Sequence, residues 1–247
     1  MFDFTMELAG RKIAVSANFD RTREYCQAYL TEGEPDFSVT VGMEELAWEH
    51  RNAKKEKLHD SFPGDRVPPP FLEQAALYRM IANRMLEYDT VLFHGSAISV
   101  DGQGYLFTAL SGTGKSTHTA LWRSHFGDRA VMVNDDKPLL RVTKEGVFVC
   151  GTPWNGKHNL GCNISVPLKG ICVLNRGAEN TIRTLTPSEA IPYLLQQSYI
   201  PPESAAAAKV MSLLGAITSC TGLYSLHCNM NPEAAGVAYN GMNGKEN

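Results

Sequence analysis

Apolar and polar positions alternate along Phe2 to Leu8 and again along Lys12 to Ser16, and Ala9-Gly-Arg11 between them predicts a hairpin. A helix-like segment from Asp20 to Leu30 and a strand from Asp36 to Val41 follow. Met43 to Leu58, rich in Glu, Lys and Arg, reads as a polar helix with a solvated face. Pro63-Gly64 and Pro68-Pro-Pro70 mark His59 to Pro70 as the clearest linker in the chain. The pattern separates a small N-terminal α+β region, 1–67, from a larger region, 68–240, with 241–247 reading as a frayed tail.

The larger region opens with an amphipathic helix from Phe71 to Tyr88, carrying Leu77, Ile81 and Met85 on one stripe. Thr90 to Val100 is a buried-strand pattern interrupted by His94-Gly95, and the turn Asp101-Gly-Gln-Gly104 hairpins it onto the apolar run Tyr105 to Leu110. A helix-compatible stretch, Lys115 to Phe126, comes next. Strand patterns recur at Arg129 to Asn134, Pro138 to Thr143, Gly146 to Cys150, Leu168 to Asn175, Thr181 to Leu185 and Tyr224 to Cys228. Helices are expected at Ser188 to Ser198 and Glu203 to Thr218. Strands interleaved with helices predict an α/β fold, a mixed β-sheet with flanking helices.

Composition narrows the classes. With 247 residues, 43% hydrophobic and 20% charged, the chain is an ordinary globule able to bury a core. A formal net charge of -3 supplies no basic field for nucleic acid or an anionic membrane. No run approaches a membrane span, and the N-terminus carries acids where a signal peptide would be basic, so the expected location is cytoplasmic. The six cysteines (26, 150, 162, 172, 220 and 228) form no C-x-x-C pair and are expected to be reduced, buried and structural.

The chemistry concentrates at Ser111-Gly-Thr-Gly-Lys-Ser-Thr117, between an apolar run and a helix start. Glycines at 112 and 114 let backbone N–H groups turn inward on an anion, together with the helix N-terminus. Lys115 can reach the β and γ phosphates of a nucleotide, and the Ser116 hydroxyl can hold Mg²⁺. Ala109 stands where the phosphate-loop pattern expects its first glycine, and would cost about 1–2 kcal/mol if φ had to be positive there. Asp135 lies 20 positions after Lys115, at the end of the next strand, so Asn134-Asp-Asp136 returns to the loop. One carboxylate can serve Mg²⁺ with Ser116 while the other takes the proton of an attacking hydroxyl. His94 reads either as a satisfied core histidine or as a group near the γ-phosphate. Lys157, in the loop Gly151-Thr-Pro-Trp-Asn-Gly-Lys157, reads either as solvated or as a cation for developing phosphoryl charge.

In order and spacing, His94-Gly95, the hairpin, Ser-Gly-Thr-Gly-Lys-Ser and Val133-Asn-Asp-Asp136 resemble the catalytic domain of HPr kinase/phosphorylase. They resemble more closely the small kinases related to it, whose nucleotide core is shared with phosphoenolpyruvate carboxykinase. The resemblance covers about residues 71 to 235. It implies a P-loop kinase core binding ATP, with Asp135 on Mg²⁺, Asp136 as base, His94 beside the transferred phosphate, and a homo-oligomeric assembly. The glutamate-bearing motif of the bifunctional enzymes has no counterpart here, and residues 1–70 do not match that family's N-terminal domain.

Three activities follow as expectations. The first is an ATP-dependent kinase acting on a hydroxyl, of a Ser or Thr in a small protein or peptide or of a metabolite. The second is a carboxykinase-like enzyme, which needs clustered arginines that Arg123, Arg129, Arg141, Arg176 and Arg183 do not form in sequence. The third is a non-catalytic nucleotide sensor, in which Ala109 would mark a decayed loop.

Overall fold

The structure, a computed structural model, describes residues 1–52, 67–110, 112–156 and 158–244. They form two compact units, Met1–Arg84 and Met85–Asn247. The polar helix expected to reach Leu58 is described only to Asn52, and most of the linker lies outside the described residues.

In the first unit, β1 (Phe2–Leu8) and β2 (Arg11–Ala17) pair antiparallel around Ala9 and Gly10, whose φ of 50° and 72° make the two-residue turn that suits a twisted hairpin. β3 (Phe37–Thr40) adds parallel to β2. Met6, Leu8, Ile13, Val15 and Ala17 are buried, as the alternation requires. The helix expected from Asp20 to Leu30 is shorter: α1 (Asp20–Tyr25) ends in a 3-10 turn over Gln27–Tyr29. α2 (Met43–Asn52) is not purely solvated, because its Glu49 is buried and accepts from Arg79 Nε at 2.7 Å. Arg79 belongs to α3 (Pro69–Met85). Glu73 of α3 is fully buried and receives Asn18 N, Asn18 Nδ2, Phe19 N and Thr22 Oγ1. No side chain of its own caps α1, and this carboxylate takes the N–H groups of Asn18 and Phe19 that lead into it and the Thr22 hydroxyl of its first turn.

The second unit is built on nine strands: β4 (Thr90–Leu92), β5 (Ser96–Val100), β6 (Gln103–Thr108), β7 (Ala130–Asn134), β8 (Leu139–Thr143), β9 (Gly146–Cys150), β10 (Ser165–Arg176), β11 (Thr181–Thr184) and β12 (Gly222–Cys228). Their order is β4-β8-β9-β10-β6-β5-β7, with β12 on β10 and β11 on β12. β10 pairs antiparallel with β9 near its start and parallel with both β6 and β12 over its later half. The sheet is therefore mixed, as expected. Helices α5 (Pro187–Gln197) and α6 (Ser204–Cys220) cover one face, and α4 (Lys115–Phe126) and α7 (Glu233–Met242) the other. β6 is buried on both sides, Leu106 facing the α5–α6 core and Tyr105 and Phe107 the α4–α7 core.

The run from Thr90 to Val100 is not one strand. Its first part pairs with β8, its second with β6 and β7, and the chain changes partners at His94-Gly95. The composition of 241–247 reads as a tail, yet Gly241 and Met242 form the last turn of α7, Met242 is buried, and Asn243 Nδ2 donates to the Tyr105 hydroxyl. All six cysteines are free; Cys26, Cys150 and Cys172 are buried as expected, whereas Cys162 and Cys220 are exposed. No helix among the described residues is long and apolar enough to cross a membrane.

Candidate functional site

β6 runs into the loop and the loop into α4. Gly112 and Gly114 take φ of 78° and 118°, where a β-carbon is strained, so glycine is required at both. Ala109 does not take a positive φ and is buried in the α4–α7 core, so the departure from the glycine pattern carries no backbone penalty. No side chain caps α4 at Gly114, which leaves the first-turn N–H groups and the positive end of the helix dipole facing the loop. Lys115 folds back to donate to Ala109 O at 3.2 Å; burial lowers its pKa below the usual lysine value, against the opposing pull of Asp136 and Asp135. Arg176, at the end of β10, donates from Nη2 to Gly112 O at 2.7 Å and tethers the loop. Ser111 lies outside the described residues.

The acids arrive through topology. β7 is antiparallel to β5 and β5 to β6, so β6 and β7, on either side of β5, run the same way and finish at the same edge of the sheet. Asp135, only 6% exposed, accepts from Ser96 Oγ at 2.7 Å. With its one proton given to Asp135, Ser96 accepts in turn from Thr119 Oγ1 at 2.9 Å. Thr119 sits one turn along α4 from Lys115, so a chain of hydroxyls ties the loop helix to Asp135. The other oxygen of Asp135 lies against Gly156, where an added β-carbon would stand 3.0 Å from Oδ2.

Asp136 points elsewhere. Its Oδ1 lies 3.2 Å from His94 Nε2, with the two side chains 33% and 41% exposed, so His94 is not a core histidine. Burial raises the Asp136 pKa, but the His94 hydrogen bond and the charges of Lys137, His94 and Lys115 outweigh it and bring the carboxyl below its usual range. The turn is held by Asn134, fully buried, whose Oδ1 accepts from Asp136 N and Lys137 N and whose Nδ2 donates to Thr152 and to Trp154 O. Lys157 lies outside the described residues.

Beside the loop is a cavity of about 490 Å³. Gly112, Thr113, Gly114 and Thr117 line one side, with Leu121 below them, and the ends of β10 and β12 line the other. His118 forms part of its wall; its Nε2 accepts from Trp122 Nε1 at 3.0 Å, and burial pushes its pKa down to about 4.

Lys115, Asp135, Asp136 and His94 thus gather at the ends of β6 and β7, with Ser116 exposed on the first turn of α4. Ser96, Thr119, Asn134 and Arg176 were not foreseen as site residues. Thr119 could have been found, being four positions from Lys115 on a helix. Ser96 and Arg176 depend on strand order, whereas Asn134 holds the turn of its own two acids. Among the described residues no group of three or more His, Cys, Asp or Glu is placed to hold a metal ion. One buried carboxylate and a helix-start hydroxyl instead suit a cation that takes its remaining oxygens from phosphate and water, which is how Mg²⁺ binds.

The family described as SynChlorMet cassette protein ScmC matches residues 71–206. No curated protein matches the chain. Among solved structures, the Hpr(Ser) kinase/phosphatase from Coxiella burnetii is similar at 13% identity and a TM-score of 0.29, over 50% of this chain and 88% of that one.

Proposed function

The chain belongs to the SynChlorMet cassette protein ScmC family, and we propose that it is a kinase that transfers the γ-phosphate of ATP, with Mg²⁺, to a hydroxyl group. The core is read as a P-loop kinase of the HPr kinase/phosphoenolpyruvate carboxykinase type. One observation carries this reading: a glycine loop with its lysine, a shielded Asp135 and a His94-paired Asp136 converge at the ends of two strands that run the same way on either side of β5.

The loop amides, the α4 N-terminus and Lys115 bind and orient the phosphates. Ser116 and Asp135 would hold Mg²⁺, which supplies charge neutralisation at the β and γ phosphates. Ser96, itself held by Thr119, fixes Oδ1 of Asp135 and leaves Oδ2 for that task. Asp136, kept ionised by its partners, accepts the proton of the incoming hydroxyl, while His94 holds the carboxylate in line. Roles for Ser111 and Lys157 rest on sequence alone.

The acceptor is a Ser or Thr hydroxyl of a small protein or peptide, or that of a metabolite. Because the family is described as a cassette protein, products of neighbouring genes are the first acceptors to test. The test is a radiolabelled-ATP screen of those products, free serine and threonine, and polyols. Asp136→Asn should retain ATP binding and lose about 10²-fold or more of transfer. If transfer survives that change, the base assignment falls. If Lys115→Ala leaves Mg²⁺-ATP binding unchanged, the whole reading falls.

A further inference from the structure

We propose that Gly156 is a specificity-determining residue of the Asp135 cation site, its missing side chain leaving the room in which a small hydrated cation meets Oδ2. This rests on Asp135 being the Mg²⁺ carboxylate of the proposed kinase.

Gly156 belongs to the polar loop between β9 and β10, and that loop is wrapped around the end of β7. On its first limb, Thr152 O, Thr152 Oγ1 and Trp154 O all accept from Asn134 Nδ2. Thr152 Oγ1 in turn donates to Lys137 O at 2.8 Å. On its second limb, Cys162 N donates to Val133 O at 3.2 Å, and the two limbs meet where Gly151 N donates to Ile164 O at 2.9 Å. The loop is thus fastened to the two residues that precede Asp135. Within it, Asn159 N donates to Gly156 O at 3.0 Å and fixes that residue in place.

Gly112 and Gly114 are glycines because their backbone demands it. Gly156 is different, since its φ is not in the left-handed region that favours glycine. What a side chain there would meet is Asp135: a β-carbon would stand 3.0 Å from Oδ2, 3.2 Å from the backbone O and 3.5 Å from Cγ. Two other glycines make close approaches that serve the loop itself. A β-carbon at Gly151 would strike Cys162 O, and one at Gly161 the Asn155 amide. Of the three, Gly156 is the one that faces an acid.

Asp135 cannot turn aside without giving up Ser96, whose Oγ donates to Oδ1 at 2.7 Å. Only Oδ2 is left for a cation, so the carboxylate offers a single oxygen. Such a site suits Mg²⁺, which takes one or two carboxylates, keeps several waters and needs near-ideal octahedral geometry. It suits Ca²⁺ poorly, because that ion gathers six to eight oxygens and often takes a carboxylate through both of its own. A methyl group at position 156 would fill volume that the cation's waters need and would press on Oδ2 as well. Neither effect requires residue 156 to touch the cation.

The test is calorimetric titration with ATP in Mg²⁺, in Ca²⁺ and in EDTA, on the parent, Gly156→Ala and Asp135→Asn. In the parent, Mg²⁺ should tighten ATP binding at least about tenfold more than Ca²⁺ does. Gly156→Ala should cut the Mg²⁺ gain about tenfold, the loss usual for a residue that supports a metal ligand, and leave binding in EDTA within about twofold. Three outcomes would each overturn the proposal: an undiminished Mg²⁺ gain in Gly156→Ala, an equal loss of affinity in EDTA, or a parent whose affinity Ca²⁺ raises as far as Mg²⁺ does. The last needs no variant to fold. A parent that binds ATP equally in Mg²⁺ and EDTA, or an Asp135→Asn that keeps the full Mg²⁺ gain, instead removes the metal reading beneath the proposal.

Discussion

His118 shows how much a single buried group can weigh. The structure holds it neutral, with a pKa pushed down to about 4, against about 6.5 in an unfolded chain. Between those values the unfolded chain binds a proton that the folded one refuses, so stability rises with pH across the window. The contribution is fully present above about pH 6.5 and is lost as pH falls toward 4, to the order of 3 kcal/mol. Urea midpoints measured from pH 7 to 4 should fall more steeply in the parent than in His118→Gln, whose amide oxygen can still accept from Trp122 but does not titrate. Equal slopes would mean that His118 is protonated in the fold. At this scale the sequence was a partial guide. Lys115, Asp135 and Asp136 announce themselves because a lysine behind two glycines and a pair of acids one strand later are local patterns. Ser96 and Arg176 do not, since they act through neighbours 39 and 64 positions away in sequence.

At the scale of elements, the break at His94-Gly95 puts the candidate base in place. His94 N donates to Gln197 O and Gly95 N to Asp136 O, so backbone bonds carry the chain from β8's side of the sheet to β7's. A β-carbon on Gly95 would stand 2.9 Å from Leu106 Cδ1 and 3.0 Å from Phe107 O, with a backbone carbonyl that cannot yield. Gly95→Ala should therefore cost about 1–3 kcal/mol by overpacking, seen as a lower denaturation midpoint. It should also reduce transfer beyond that loss, because Asp136 O is the partner of Gly95 N; unchanged activity in the folded variant would separate the break from the site. The hairpin of β5 and β6 was legible because Asp101 and Gly102, with φ of 52° and 78°, encode their turn locally. The split of Thr90–Val100 was not, since both halves are apolar and only pairing with different strands divides them. α7 is not legible in the sequence for a related reason: Gly236 and Gly241 weaken its helix signal, and it is held by packing Ala234, Ala235 and Ala238 into the fold beside α4.

Over the whole molecule, a net charge of -3 gives no long-range attraction for a polyanionic donor. Under the proposed function, capture would fall to Lys115, the α4 N-terminus and Arg176, acting within about one Debye length, ~8 Å at physiological salt. Such a ligand stabilises the fold by mass action alone, about 2.7 kcal/mol at a hundredfold excess over Kd. For a chain of this length each kcal/mol moves Tm by about 2–4 °C, so saturating Mg²⁺-ATP should raise it by about 5–10 °C. Lys115→Ala should abolish the rise, and omitting Mg²⁺ should reduce it. Hydrogen exchange locates the effect: slowed amides are expected at 112–119, 134–136, 174–177 and 228–230. Protection confined to the loop would mean that phosphate binds without the cavity beside it being filled. Protection of 112–119 and 174–177 without 134–136 would mean that Asp135 does not meet the metal, and Mg²⁺ would then owe its place to the phosphates alone.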